Sequence, residues 1–122
     1  VRDILAIDHV QITIPVGQEE KARAFYGDWL GLEEIEKPDS LKPNGGVWYR
    51  VGALELHIGT EPMESEKGKR HVAFRVRDIA RLRRLCEEKG IAIQEEKPIP
   101  GAERFTIRDP FGNRTEFIER KD

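Results

Sequence analysis

The chain predicts an α+β fold made of two tandem βαβββ modules, and three observations carry that prediction. Two strand-like stretches, "DHVQITIP" and "RHVAFRV", open with histidine, and these histidines, His9 and His71, stand 62 positions apart. A helical stripe of apolar residues follows each strand. Three short extended pieces follow each helix. A unit written twice at a fixed period is a stronger guide to architecture than any local motif. The 122 residues match the size of one compact domain. Module one is expected at about 7–60, a polar linker at 61–69 and module two at about 70–120.

In the opening strand, side chains alternate between faces. Val10, Ile12 and Ile14 form an apolar underside, while His9, Gln11 and Thr13 form a polar row. Asp8 is expected to point the other way from His9, as a surface or edge residue. In "QEEKARAFYGDWLGL", Ala22, Phe25, Tyr26, Trp29 and Leu30 recur as one face of a helix over 19–30, and Gly31 is placed to stop it. Extended pieces follow at 33–37, 45–52 and 54–60, the last two joined as a hairpin at Gly52-Ala53. Pro62 and Gly68 interrupt the linker.

The second unit repeats this order. Val72, Phe74 and Val76 share a face of the strand 70–76, Asp78 is placed to N-cap the next helix, and Gly90 is placed to close it. Strands are expected at 91–97, 103–109 and 114–120, with "PFGN" turning the last pair and both Gly112 and Asn113 suited to positive φ.

Hydrophobic residues make up 38% of the chain, charged residues 36%, and the net charge is −2. That balance is globular and points to neither nucleic acid nor an anionic membrane as partner. No apolar run reaches the roughly 20 residues of a membrane span, and no signal-peptide pattern opens the chain. The single cysteine, Cys86, excludes an intrachain disulfide and fits a reducing cytoplasm. It falls in the stripe Ile79, Leu82, Leu85, Cys86 and is read as a buried small hydrophobe.

The repeat aligns chemistry as well as structure. His57 lies 48 residues beyond His9, and Glu116 lies 45 beyond His71, so the two occupy nearly equivalent places in the last strands of their modules. Parity agrees, since Glu55 and His57 oppose Leu54, Leu56 and Ile58, while Arg114, Glu116 and Ile118 oppose Thr115 and Phe117. Every histidine in the chain falls on one of these four related positions.

The stretches "DHVQITIP", "ARAFYGDWLGL", "RHVAFRV" and "DPFGNRTEFIE", in this order, resemble the vicinal oxygen chelate superfamily over about residues 7–120. That superfamily includes glyoxalase I, extradiol dioxygenases, fosfomycin-resistance thiol transferases, methylmalonyl-CoA epimerase and bleomycin-binding proteins. The resemblance implies a cup-shaped, incomplete mixed β-barrel flanked by helices. It further implies a divalent ion held by the first and fourth strands of each module, at His9, His57, His71 and Glu116.

Three imidazoles and a carboxylate suit Zn²⁺, Ni²⁺, Co²⁺, Mn²⁺ or Fe²⁺ better than Mg²⁺, which prefers oxygen. Such an ion would chelate two neighbouring oxygens of a small substrate and stabilise an enolate or oxyanion. Parity places Gln11, Trp48, Arg50, Glu55, Arg75, Thr106 and Arg108 around the cup. The arginines either hold an anionic substrate group or form a charged rim with Arg104, and Trp48 either stacks on substrate or belongs to the core. Glu116 or Glu55 is available as a base.

The expected function is that of a metal-dependent lyase, isomerase or dioxygenase. The alternative is a metal-free cup that binds a small molecule or antibiotic, as bleomycin-resistance relatives do. Phe25, Tyr26 and Trp29 are expected to form an exposed aromatic surface that a homodimer would bury.

Overall fold

The computed structural model describes residues 2–62 and 69–121, so most of the expected linker lies outside the described residues. The chain divides into two compact units, Val1–Glu64 and Ser65–Asp122. The first contains β1 (His9–Ile14), α1 (Glu19–Ala22), a π-helical continuation (Arg23–Trp29), β2 (Glu33–Ile35), a 3₁₀ turn (Asp39–Asn44), β3 (Val47–Val51) and β4 (Leu54–Thr60). Its sheet runs β1-β4-β3-β2, with β1 parallel to β4 and the other pairs antiparallel. The second contains β5 (Val72–Arg75), α2 (Ile79–Glu88), β6 (Gln94–Glu95), β7 (Ala102–Arg108) and β8 (Arg114–Arg120). Its sheet runs β5-β8-β7-β6, with β5 parallel to β8. The fold is therefore α+β, two βαβββ modules of identical topology, and each four-stranded mixed sheet is open.

Register fixes the faces. Val10 pairs with Leu56, Ile12 with Ile58, and Tyr49 with Leu56, so the apolar rows of three strands lie on one side of the first sheet. Ile14, Val47, Tyr49, Leu56 and Ile58 are buried there together with Ala22, Phe25 and Tyr26 of the helix. In the second sheet Phe74 pairs with Phe117 and Phe105 with Phe117, and Ile79 and Cys86 of α2 are buried. Burial pushes the Cys86 thiol up to about 11, consistent with packing as its role.

Several local expectations change. Phe25 and Tyr26 are 4% and 1% exposed, so the aromatic stripe is core and the predicted exposed surface does not exist. The helix over 19–30 widens after Ala22, where Leu30 N donates to Phe25 O, five residues back. β3 starts at Val47 because Gly45 and Gly46 both have positive φ. The 3₁₀ turn at 39–44 was not anticipated. The edge strand β6 shrinks from the expected 91–97 to two residues, Gln94 and Glu95, which pair with Thr106 and Phe105. In the 110–113 turn only Gly112 has positive φ. Buried Asp109 organises that turn instead, accepting from the Phe111 and Asn113 amides at 2.9 and 2.7 Å. Asp78 caps α2 as expected, accepting from Arg81 N at 3.0 Å.

Tyr49 carries a cost. Its hydroxyl is buried without a hydrogen-bond partner among the described residues, and burial pushes its pKa up to about 12. A buried hydroxyl left unpaired is destabilising by about 1–3 kcal/mol. Tyr49→Phe is therefore expected to leave stability unchanged or raise it by about 1 kcal/mol in urea unfolding. A loss above about 1 kcal/mol would show that the hydroxyl has a partner.

Candidate functional site

The polar face of the first sheet is assembled by the parallel β1–β4 pairing. His9 stands opposite Glu55 and Gln11 opposite His57, while Trp48 and Arg50 of β3 stand opposite His57 and Glu55. Gln11 packs over Gly59, where an added Cβ would come 3.1 Å from its amide nitrogen. His57 is 5% exposed and sandwiched. Its ring stacks on Trp48 at 3.6 Å and on His9 at 4.1 Å, and its Nε2 donates to Glu55 Oε1 at 2.9 Å. Trp48 thus stacks on a protein imidazole from the polar face and is not part of the apolar core.

His9 corrects one expectation. Asp8 does not turn away from it, because the chain is not yet in a strand at that residue. The Asp8 carboxylate lies 2.8 Å from His9 Nδ1. With the Nδ1 proton donated to Asp8, the tautomer assigned from this contact leaves a lone pair on Nε2.

The second module repeats the arrangement with a carboxylate. Two residues beyond His71, Ala73 pairs with Glu116, as Gln11, two residues beyond His9, pairs with His57. His57 and Glu116 are therefore register equivalents. His71 Nδ1 lies 2.7 Å from the Lys69 carbonyl, and its Nε2 lies 3.0 Å from Glu116 Oε1. A neutral imidazole has one proton to donate. Given to Lys69, it leaves Nε2 and the 5%-exposed Glu116 carboxylate as two electron-pair donors side by side. Either a second ring proton or a shared cation satisfies both.

Thr106 stands opposite Glu116, and Arg75, Arg104, Arg108 and Arg114 line the same face. Arg104, placed at sequence level only as a rim residue, reaches Glu116 Oε1 at 3.5 Å. Its spacing of two from Thr106 was the available signal. Glu96, which the sequence did not flag, accepts from Thr106 Oγ1 at 2.8 Å and Arg114 Nη2 at 3.1 Å. The Thr106 hydroxyl, and then the Arg114 and Arg104 charges, hold the Glu96 carboxyl below its ordinary range.

The donor set fits a divalent transition metal in chemistry: imidazole nitrogens with their far nitrogen anchored, and a buried carboxylate. Among the described residues no three His, Cys, Asp or Glu side chains are grouped as metal ligands. Each module by itself supplies a pair.

Two βαβββ modules, each with a histidine-bearing polar face, define a glyoxalase-type protein. The chain belongs to the glyoxalase/bleomycin resistance protein/dioxygenase superfamily, whose profile matches residues 6–117. A structure described as a glyoxalase family protein from Bacillus anthracis is 45% identical over 99% of both chains, with a TM-score of 0.90. Lactoylglutathione lyase from Agrobacterium tumefaciens is 25% identical, over 98% of this chain and 97% of its own, with a TM-score of 0.74. TnmS3, an antibiotic binding protein from Streptomyces, shares the fold at 19% identity and a TM-score of 0.72, over 98% of this chain and 99% of its own. No curated protein matches the chain. Among the described residues no helix is long and apolar enough to cross a membrane.

Proposed function

We propose that this protein is a divalent-metal-dependent enzyme acting on a small oxygenated substrate, with His9, His57, His71 and Glu116 as the metal-binding residues. The observation that supports this most is the His71–Glu116 pair, two buried or half-buried donors 3.0 Å apart with the imidazole anchored through its other nitrogen. Members of the superfamily commonly use divalent metals. When bound, such an ion supplies Lewis-acid polarisation of neighbouring substrate oxygens. That chemistry serves lyases, isomerases and dioxygenases that build negative charge on oxygen. Gln11, Trp48, Arg50, Glu55, Arg75, Thr106 and Arg108 bind and orient the substrate. Glu116 or Glu55 is the group that moves a proton, at a carboxylate oxygen.

The protein works as a cytoplasmic homodimer in this reading. Support for a second copy comes from Ile4, Leu5 and Ile7, which are 83%, 97% and 63% exposed just ahead of the edge strand β1.

Metal analysis of protein purified without a histidine tag is expected to find a stoichiometric divalent transition metal. A preparation that neither contains nor takes up such a metal would replace this reading with that of a small-molecule-binding cup. Sedimentation showing a monomer at micromolar concentration would remove the dimer.

A further inference from the structure

We propose that Arg104 is a positioning residue that holds the Glu116 carboxylate in one orientation beside His71. The inference rests on the metal-dependent reading above but concerns a residue outside that reading's ligands and substrate contacts. Arg104 pairs with Ile118 across β7 and β8, so it stands diagonal to Glu116 on the same face, within reach of a long side chain. Its side chain is only 19% exposed. Two of its nitrogens are committed to one backbone carbonyl: Nε and Nη2 donate to Lys97 O at 3.2 and 2.8 Å. A two-point grip on a fixed acceptor removes most of the rotamer freedom of the guanidinium. The remaining nitrogen, Nη1, then meets Glu116 Oε1 at 3.5 Å, on the oxygen that also faces His71 Nε2.

The acceptor itself is pinned. Lys97 follows Glu96, whose carboxylate is tied to Thr106 on β7 and Arg114 on β8. The segment after the short edge strand is thereby fastened to the sheet through side chains, and Arg104 is fastened to that segment. A fixed guanidinium beside a buried carboxylate favours a single rotamer of that carboxylate. A fixed orientation is required of a ligand. Partners of this kind typically contribute 10–100-fold to metal affinity.

The test uses the full chain titrated with Co²⁺, reading affinity by competition with a chelator and coordination by the visible absorption band. Arg104→Gln is expected to weaken Co²⁺ binding by about 10–100-fold and to alter the band. Arg104→Lys keeps the charge but not the two-point anchor and should recover part of that loss. Lys121→Gln removes an exposed ion pair with Glu103 in the same module and should leave affinity within about twofold. Unchanged affinity and band in Arg104→Gln overturn the proposal, as does an equal loss in Lys121→Gln. If Arg104→Gln does not fold, Arg104→Lys decides: affinity and band identical to the unmodified protein overturn it. Failure of the unmodified protein to bind Co²⁺ overturns the metal-dependent reading itself, a separate outcome.

Discussion

Gly46→Ala is expected to destabilise the first module by about 3–5 kcal/mol, a large share of the roughly 5–15 kcal/mol available to a domain. Two costs combine. Gly46 has φ +90°, a region where an L side chain is strained by about 1–3 kcal/mol. An added Cβ would also lie 2.3 Å from the Ile58 carbonyl oxygen, a backbone atom of the neighbouring strand that cannot step aside. Relief requires β3 to move off β4, and overpacking of that sort adds about 1–3 kcal/mol. The same shift breaks the hydrogen bond from Gly46 N to Glu19 Oε2, 3.0 Å long, which holds the Glu19 carboxyl below its ordinary range and ties α1 to the sheet. Gly52→Ala is the control. Gly52 has φ +60° with nothing within 4 Å of an added Cβ, so only the backbone cost of about 1–2 kcal/mol applies. Equal losses in the two variants, measured by urea unfolding, would show that the contact with Ile58 is unimportant.

Glu116→Ala is expected to lower divalent-metal affinity by more than about 100-fold, beyond the range for loss of an outer partner. It removes the carboxylate from the pair with His71 and leaves the half-buried Arg104 without its ion-pair partner. Some loss of stability should accompany it, because an uncompensated charge in a desolvated place is costly. His9→Ala should lower affinity comparably. Asp8→Ala, which the alternation of strand faces would make silent, is now expected to weaken binding to a smaller degree, since Asp8 holds the Nδ1 side of His9. Dialysis against a chelator followed by metal re-titration measures all three. Full affinity in both Glu116→Ala and His9→Ala would end the metal assignment.

The faces of the sheets were legible in the sequence because a strand has a strict period of two. Gln11, Trp48, Arg50 and Glu55 share one face with His9 and His57, and Arg75, Thr106 and Arg108 share one with His71 and Glu116, as parity requires. The helical stripe at 22, 25, 26 and 29 was legible too, but its environment was not. Periodicity identifies an apolar face without saying what covers it, and here Phe25 and Tyr26 are buried, with Tyr26 against Tyr49 of the first sheet. The tying of Glu96 to β7 and β8, and of Arg104 to Lys97, had no sequence signal, because those contacts join residues 7–18 positions apart through a loop.

The sequence by itself determined the repeat, the order of elements in each module, the sides on which the histidines and Glu116 stand, and membership of the superfamily. These depend on local periodicity and on spacing, which a chain carries in one dimension. Tertiary structure alone decided the partners of each polar group. Asp8 turns to His9, Trp48 stacks on His57, the Lys69 carbonyl takes one nitrogen of His71, and Arg104 anchors on Lys97 to reach Glu116. Partner choice is set by loop paths, strand register and rotamers, and none of these has a period to be read.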